Sequence, residues 1–382
     1  MSLVLSDEQR MLGRSARDFV TGRSSLKRVR TAREEGEGFS RELWREMARL
    51  GWLGLVLPEE HGGAGLGRTY LMVVLEELGR GLCPEPLLPT VLLGGAALVA
   101  GGTAACQKEH LQAMAAGERL LALAYQEPGS RYSLTHVTTA AERVDGGYRL
   151  RGEKIQVQGG GAADVLIVSA RTHGEPTDAL GVTLFAVPAN ISGPGVRRER
   201  QRLLDGRDAT RVQLDGVRVG PDAVVGVPEE GALLLGDVID GATIGLCAEM
   251  VGSMDAAFAM TLDYLKTRVQ FGVPIGSFQA LQHRAARLYI EIELARAAVL
   301  EAHAVFDDGA DREARSLAAS MAKAKCSDAF LQVTHEGIQM HGGIGMTEEH
   351  DMGLFVKRAR VAQMTFGDAA FHRDRFARLS GY

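Results

Sequence analysis

Three apolar stripes in the last third of the chain constrain its fold more than any other feature. Ile244, Cys247, Val251, Met254, Phe258, Leu262 and Leu265 recur at steps of three and four residues. Leu281, Ala285, Leu288, Ile292, Ala295, Val299, Ala302 and Phe306 make a second set, and Ala318, Ala322, Cys326, Ala329 and Val333 a third. Such steps place each set on one face of a helix, and the abundant alanine lets long antiparallel helices approach closely. Residues 230–382 are therefore expected to form a four-helix-bundle domain.

The rest of the chain divides into two further segments. Ser6 followed by Gln9 has the spacing of a capping box, and helical periodicity continues through 10–20, 41–50, 70–82 and 91–99. Residues 1–119 read as an α-helical N-terminal domain. From 120 the pattern shortens. The runs 163–170, 181–188 and 211–219 are apolar, rich in β-branched residues and bounded by turn formers, and Gly146-Gly147 marks a tight turn. Residues 120–229 are expected to form a small β-sandwich or barrel. The fold class is thus α+β and multidomain, in the order α, β, α, as suits 382 residues that exceed one ordinary core.

Composition closes off several functions. A formal net charge of −5 leaves no electrostatic footprint for nucleic acid, and the arginine-rich stretch 197–202 reads as a solvated face. No segment reads as reaching the apolar length needed to span a bilayer, and the N-terminus lacks the basic region and apolar core of a signal peptide. Cys83, Cys106, Cys247 and Cys326 are scattered with no paired spacing, which argues against a metal site and a disulfide framework. A reducing cytoplasm is the expected location.

Two stretches call for more than packing. In YLKTRVQFGVPIGSFQALQHRAA, residues 264–286, a long helix is expected to end near Arg268, turn through Gln270, Phe271 and Gly272, and restart near Ser277. Arg268 is either an ordinary helix-terminal cation or a fork for a phosphate, with Phe271 offering a surface to an aromatic ring. In QMHGGIGMTEEHDMGLFVKRAR, residues 339–360, glycines at 342, 343 and 345 permit close backbone approach and can aim N–H groups at an anion. The run GGAGLG at 62–67 follows no strand, so it is not read as a dinucleotide fingerprint.

With LGWLGLVLPEEHGGAGLG (50–67) and VLEELGRGLCPEP (74–86), these stretches resemble the acyl-CoA dehydrogenase family over nearly the whole chain. The resemblance implies FAD as cofactor and an acyl-CoA thioester as substrate. It also implies removal of the α-proton by a base and hydride transfer to the flavin. An electron-transfer flavoprotein is the implied acceptor. In the family each FAD lies across a subunit interface, so one chain supplies two half-sites.

The half lent to a neighbour matches the family: Arg268, Gln270 and Phe271 in RxQFG, and Gln339 and Gly343 in QxxGG. Arg268 would pair with the pyrophosphate, Phe271 would lie near the adenosine, and the glycine turn would supply backbone donors. The half for the chain's own flavin ring departs. Where the family has Thr-Glu-Pro and then Gly-Ser, this chain reads Gln126-Glu127-Pro128, then Gly129-Ser130-Arg131-Tyr132. Where the family has Trp-Ile-Thr/Ser, it reads Gln156-Val157-Gln158, with Gly152, Lys154, Ala163 and Asp164 in register.

The catalytic base departs most. Phe366 occupies the glutamate position, and the alternative seat used by some members is Ala242. Asp368 and Asp240, two residues from these positions, are the remaining carboxylate candidates. This partition implies one subunit of a heteromeric enzyme, completed by a homologous chain that carries the base. The alternatives are a self-sufficient homotetramer using another carboxylate and a non-catalytic acyl-CoA-binding or assembly subunit. His341 reads as part of its turn, residues 348–351 as charges at a helix start, and His372, Arg373 and Arg375 as a solvated or interface face.

Overall fold

A computed structural model describes residues 4–34, 38–189 and 195–382 of the chain. Its helices are α1 (Asp7–Arg23), α2 (Leu26–Glu34), α3 (Arg41–Arg49), α4 (Arg68–Arg80), α5 (Ala96–Gly101) and α6 (Ala104–Ala115) before the strands. After them come α7 (Gly231–Thr267), α8 (Gln279–Asp307), α9 (Arg312–His341), α10 (Met352–Met364) and α11 (Ala369–Leu379). The capping box is formed: Ser6 Oγ accepts from Gln9 N at 3.1 Å, and Ser6 N donates to Gln9 Oε1 at 2.9 Å. The helix read at 91–99 begins differently, as a π-helical stretch Leu88–Gly95 that runs into α5.

The strands are β1 (Leu121–Ala124), β2 (Ala140–Val144), β3 (Gly147–Gln158), β4 (Val165–Arg171), β5 (Val182–Pro188), β6 (Val196–Glu199), β7 (Ala209–Val219) and β8 (Val224–Val225). They form one sheet in the order β6-β7-β3-β2-β4-β5-β8, with β1 also on β4. The sheet forks at β4. Its N-terminal half pairs in parallel with β1, while Arg171 at its far end pairs with Ala140 of β2. Alternate side chains such as Leu150, Leu166, Val168, Phe185, Val187, Val212 and Leu214 fill one buried core. The expected small β domain is present, and the expected turn at 146–147 closes the β2–β3 pair.

Two compact units emerge, and they run across the chain order. One comprises Met1–Thr31, Gly67–Cys83 and Thr243–Tyr382; the other comprises Ala32–Leu66 and Pro84–Ala242. In the first, α9 packs against α8, α10 and α11. Helix α4 joins this unit because glycines open a close crossing with α7. A Cβ at Gly79 would stand 2.0 Å from Glu249 O, and one at Gly252 would stand 1.7 Å from Glu76 O. Ser253 Oγ completes the crossing by donating to Gly79 O at 2.8 Å. A buried ion pair, Arg358 Nε to Glu249 Oε1 at 2.9 Å, ties α10 to α7.

One sequence expectation needs correction here. Helix α7 is long and apolar enough to cross a membrane by length and composition alone, with a mean hydropathy of 1.5 over its most apolar window. Of that window, 72% is buried inside the protein, which is the behaviour of a core helix surrounded by protein on most sides.

In the second unit the sheet buries an ion pair. Lys154 Nζ lies 2.6 Å from Glu127 Oε1 and 2.9 Å from Ser169 Oγ, with both charged side chains fully inaccessible. Glu127 also accepts from Thr138 N at 2.6 Å and Thr139 N at 3.0 Å. Desolvation acts upward on this carboxyl, but Lys154 and the two threonines outweigh it and hold it down at about 2. Burial pushes the Lys154 ammonium down to about 8. Both groups are therefore charged at neutral pH.

Candidate active site

The RxQFG segment is a hairpin rather than a helix end with a simple stop. Helix α7 finishes at Thr267, and Arg268 N still donates to Tyr264 O at 2.9 Å, so Arg268 stands at the helix end as expected. β9 (Val269–Gln270) and β10 (Val273–Pro274) then pair around a two-residue turn, and α8 starts at Gln279. The turn residues Phe271 and Gly272 have φ of 54° and 80°, the double positive φ that a tight hairpin of this twist requires. Glycine meets that at little cost, whereas phenylalanine does so against its own sterics. The Phe271 side chain is 90% exposed. Arg268 and Gln270 are exposed, and the Arg268 side chain has no partner among the described residues.

The QxxGG segment ends α9. His341 is buried, with its ring 4.6 Å from that of Tyr264 and 4.4 Å from that of His350. Its Nδ1 lies 2.6 Å from Gly337 O; the carbonyl only accepts, so Nδ1 carries the proton. This agrees with a structural reading of His341. Gln339 is exposed. Gly342 has φ 65° and ψ −140°, a conformation almost confined to glycine. Gly343 is different, because a Cβ there would meet nothing within 4 Å. Packing within the chain therefore does not require glycine at 343. Arg268, Gln270, Phe271, Gln339 and Gly343 all lie in one compact unit.

Phe366 sits in the connection between α10 and α11, not on a helix. It is buried, at 6% exposure, with φ 62°. Two groups that sequence reasoning missed hold this strained segment. Lys323 Nζ, on α9, donates to Gly367 O at 2.7 Å, Gln363 O at 3.0 Å and Ser327 Oγ at 3.0 Å. Its burial pushes the ammonium down to about 8, so it remains charged at neutral pH and takes three acceptors. His372 Nε2 lies 3.1 Å from Phe366 O. His372 is buried at 1% exposure, which corrects the solvated half of its reading as a solvated or interface face. Of its expected companions, Arg375 bonds Ser320 Oγ and Ser316 Oγ, and Arg373 pairs with Asp328. A lone lysine one residue after Ala322 in an apolar stripe was the visible signal for Lys323.

The two candidate carboxylates have other surroundings. Asp368 is the N-cap of α11, where Oδ1 accepts from Phe371 N at 2.9 Å. We predict that Asp368→Ala lowers stability by about 0.5–2 kcal/mol while Asp368→Asn is nearly neutral, since asparagine caps as well as aspartate. Thermal unfolding of the two variants checks this, and an equal loss in both would contradict the capping role. Asp240 is buried within α7, as is Ala242. The acidic residues 348–351 also differ from expectation. Asp351 makes no capping bond and pairs with Arg30 at 2.8 Å, while Glu348 pairs with Lys357 at 2.9 Å.

The departing residues of the β domain carry strain of their own. Arg131 and Gln156 have φ of 50° and 54°, and Gln156 falls within the β3–β7 register shift between Lys154 and Val157. The Arg131 guanidinium lies over the Tyr132 ring at 5.7 Å. Gln126 O accepts from Ile155 N at 2.9 Å, and Gln158 ends β3. Five of the six described non-glycine residues with positive φ (Leu82, Arg131, Gln156, Phe271 and Phe366) thus fall in segments that the sequence singled out. Among the described residues no cluster of His, Cys, Asp or Glu is arranged to hold a metal.

Comparison with known proteins agrees with this geometry. The acyl-CoA dehydrogenase N-terminal, middle and C-terminal domain models match residues 6–118, 122–217 and 230–380. The chain is 30% identical over 366 residues to the acyl-CoA dehydrogenase FadE12 of Mycobacterium tuberculosis, covering 95% of this chain and 93% of that protein. It is 33% identical to the steroid acyl-CoA dehydrogenase Tcur3481-Tcur3483, with a TM-score of 0.85 and 98% of each chain covered. It is 27% identical to a chain of the ChsE4-ChsE5 complex of Mycobacterium tuberculosis, with a TM-score of 0.89 and both chains fully covered. On three domain models that together span almost the whole chain, the protein belongs to the acyl-CoA dehydrogenase family of FAD-dependent oxidoreductases.

Proposed function

We propose that this chain is one subunit of a heteromeric acyl-CoA dehydrogenase, completed by a homologous chain that carries the catalytic glutamate. The observation that carries this reading is a contrast between two surfaces. Arg268 and Phe271 stand exposed at a strained hairpin, the former without a partner among the described residues, while the position of the base holds the buried Phe366. A phenylalanine has no lone pair to take the α-proton, and a positioned base is worth roughly 10²–10⁴ in rate. The N-cap bond of Asp368 speaks against that carboxylate as a substitute.

The residues of the lent half fit FAD. Arg268 would bind the pyrophosphate with Gln270 beside it, Phe271 would lie against the adenosine, and the turn at Gln339 and Gly343 would offer backbone donors. FAD, when bound, supplies the acceptor for the hydride that leaves the β-carbon of an acyl-CoA thioester. The half for the chain's own flavin ring does not fit. Arg131 stacked on Tyr132, and Gln156 and Gln158 at the aromatic wall, put charge and bulk where a flat ring needs a small, apolar seat. We place the enzyme in the cytoplasm, with an electron-transfer flavoprotein as acceptor. Similarity to a steroid acyl-CoA dehydrogenase makes bulky acyl-CoA thioesters the first substrates to test.

Expressed alone, the chain should purify with little flavin absorbance and oxidise no acyl-CoA. Co-expression with a homologue that has the glutamate should restore both. Stoichiometric FAD and turnover in the lone chain would favour the self-sufficient homotetramer, and acyl-CoA binding without flavin reduction in any pairing would favour the assembly subunit.

A further inference from the structure

The hairpin and the glycine turn of the lent half-site end different helices, and one imidazole stands between them. His341 closes α9. Its ring lies 4.6 Å from that of Tyr264, in the last turn of α7. Tyr264 O accepts from Arg268 N at 2.9 Å, at the foot of the hairpin. On the other side the glycine turn folds directly over His341, since a Cβ at Gly345 would stand 2.9 Å from His341 Cβ. Nδ1 donates to Gly337 O, while Nε2 is buried with no hydrogen-bond partner among the described residues. The ring is therefore held by packing and by one bond.

A second imidazole continues the stack. His350 lies 4.4 Å from His341, ring to ring, and its Nδ1 accepts from Met352 N, at the start of α10, at 3.2 Å. An amide only donates, so this nitrogen must be bare and the ring serves here as a neutral acceptor. Protonation would set N–H against N–H and leave a cation beside His341. The charged groups around it are Arg30 of α2, Asp351, which pairs with Arg30 at 2.8 Å, and Glu348 and Glu349, the former paired with Lys357 of α10. Burial pushes the His350 imidazole below its ordinary 6.5; His341 and Arg30 act the same way and Asp351 opposes them. The ring is only half-buried, so protons from solvent reach it.

We propose that His341 and His350 are positioning residues of the lent half-site: their stack with Tyr264 holds the glycine turn against the hairpin, and FAD binds there only while His350 is uncharged. The inference rests on the heteromeric reading for the identity of the ligand at this face. Arg268 and the backbone donors of the turn can serve one pyrophosphate only if α7 and α9 end at a fixed separation, and the ring stack sets it in advance of binding. On acidification His350 takes a proton, Met352 N loses its acceptor and the turn loosens. FAD binding is therefore complete above pH 6.5 and falls as pH drops below it.

Fluorescence titration of the apo mixed assembly with FAD, at about pH 7.5 and about pH 5, tests this. Wild-type affinity should fall at least about threefold between the two, an interval in which FAD itself gains and loses no proton. The His350→Asn assembly should match wild type at the higher pH and show no fall at the lower. Asparagine accepts from an amide two residues on and does not titrate. His341→Ala should weaken FAD at least about tenfold at the higher pH. His341→Phe, which keeps a ring between Tyr264 and His350 but no nitrogen, should restore affinity to within about threefold of wild type. Should His341→Ala fail to assemble by sedimentation, the two pH profiles decide alone. A His350→Asn profile as steep as that of wild type, or a His341→Phe assembly as weak as His341→Ala, overturns the proposal. Wild-type binding equal at both pH values overturns it too and leaves the heteromeric reading standing, whereas an assembly that takes no FAD at either pH overturns both.

Discussion

Lys154→Met is expected to destabilise the chain by about 3–5 kcal/mol, the range for stranding one partner of a buried ion pair. The methionine fills most of the lysine's volume but leaves Glu127 fully inaccessible and without the lysine that opposes its desolvation. The amides of Thr138 and Thr139 still donate to the carboxylate, yet they do not balance its charge. Adding Glu127→Leu should recover most of the loss, because an apolar pair of similar volume carries no desolvation cost. Acid acts on the same pair with a defined sign. The folded Glu127 carboxyl is held at about 2, below its ordinary 4.5, so its contribution is complete above pH 4.5 and drains away as pH falls toward 2. Urea unfolding of the single and double variants at pH 7 and pH 4 checks both statements. A double variant no more stable than Lys154→Met would show that packing, and not charge, governs this part of the sheet.

Arg268→Ala should cost the mixed assembly most of its flavin, with FAD bound about 10- to 100-fold more weakly, the effect of losing a charged hydrogen bond. Phe271→Ala should weaken FAD less, by removing stacking alone. Both side chains are exposed, so neither change should alter the stability of the chain by itself. Fluorescence titration of apo assembly with FAD measures the affinity directly. Unchanged affinity in Arg268→Ala would remove this hairpin from the flavin site. The same titration on Gly343→Ala separates a free surface from a used one, since an added methyl meets no atom of this chain but would meet a cofactor laid against the turn.

Several local features were legible because they depend on neighbours a few residues apart. The Ser6–Gln9 capping box, the turn at Gly146-Gly147 and the stripes of α8 and α9 all follow from short-range periodicity and dihedral preference, and all are found in the structure. The hairpin at 268–274 was missed. Its two-residue turn is usually announced by Asn-Gly or Gly-Gly, and here a phenylalanine adopts the positive φ instead. His372 was placed on a solvated or interface face because His, Arg and Arg close together look hydrophilic. Its burial depends on α9, some fifty residues earlier in the chain.

By itself, the sequence determined the family, the succession of helical, β and helical segments, and the absence of a carboxylate at position 366. These are properties of residue identity and of spacing along the chain. Only the tertiary structure decided that α1 and α4 join the C-terminal helices, because the glycine crossing of Gly79 with Gly252 is a meeting of distant segments. It alone made Asp368 a helix cap and put Lys323 and His372 beneath Phe366. A side chain's type is written locally, but its partners and its access to water are set by what the fold brings against it, and those decide whether a charge binds, holds or reacts.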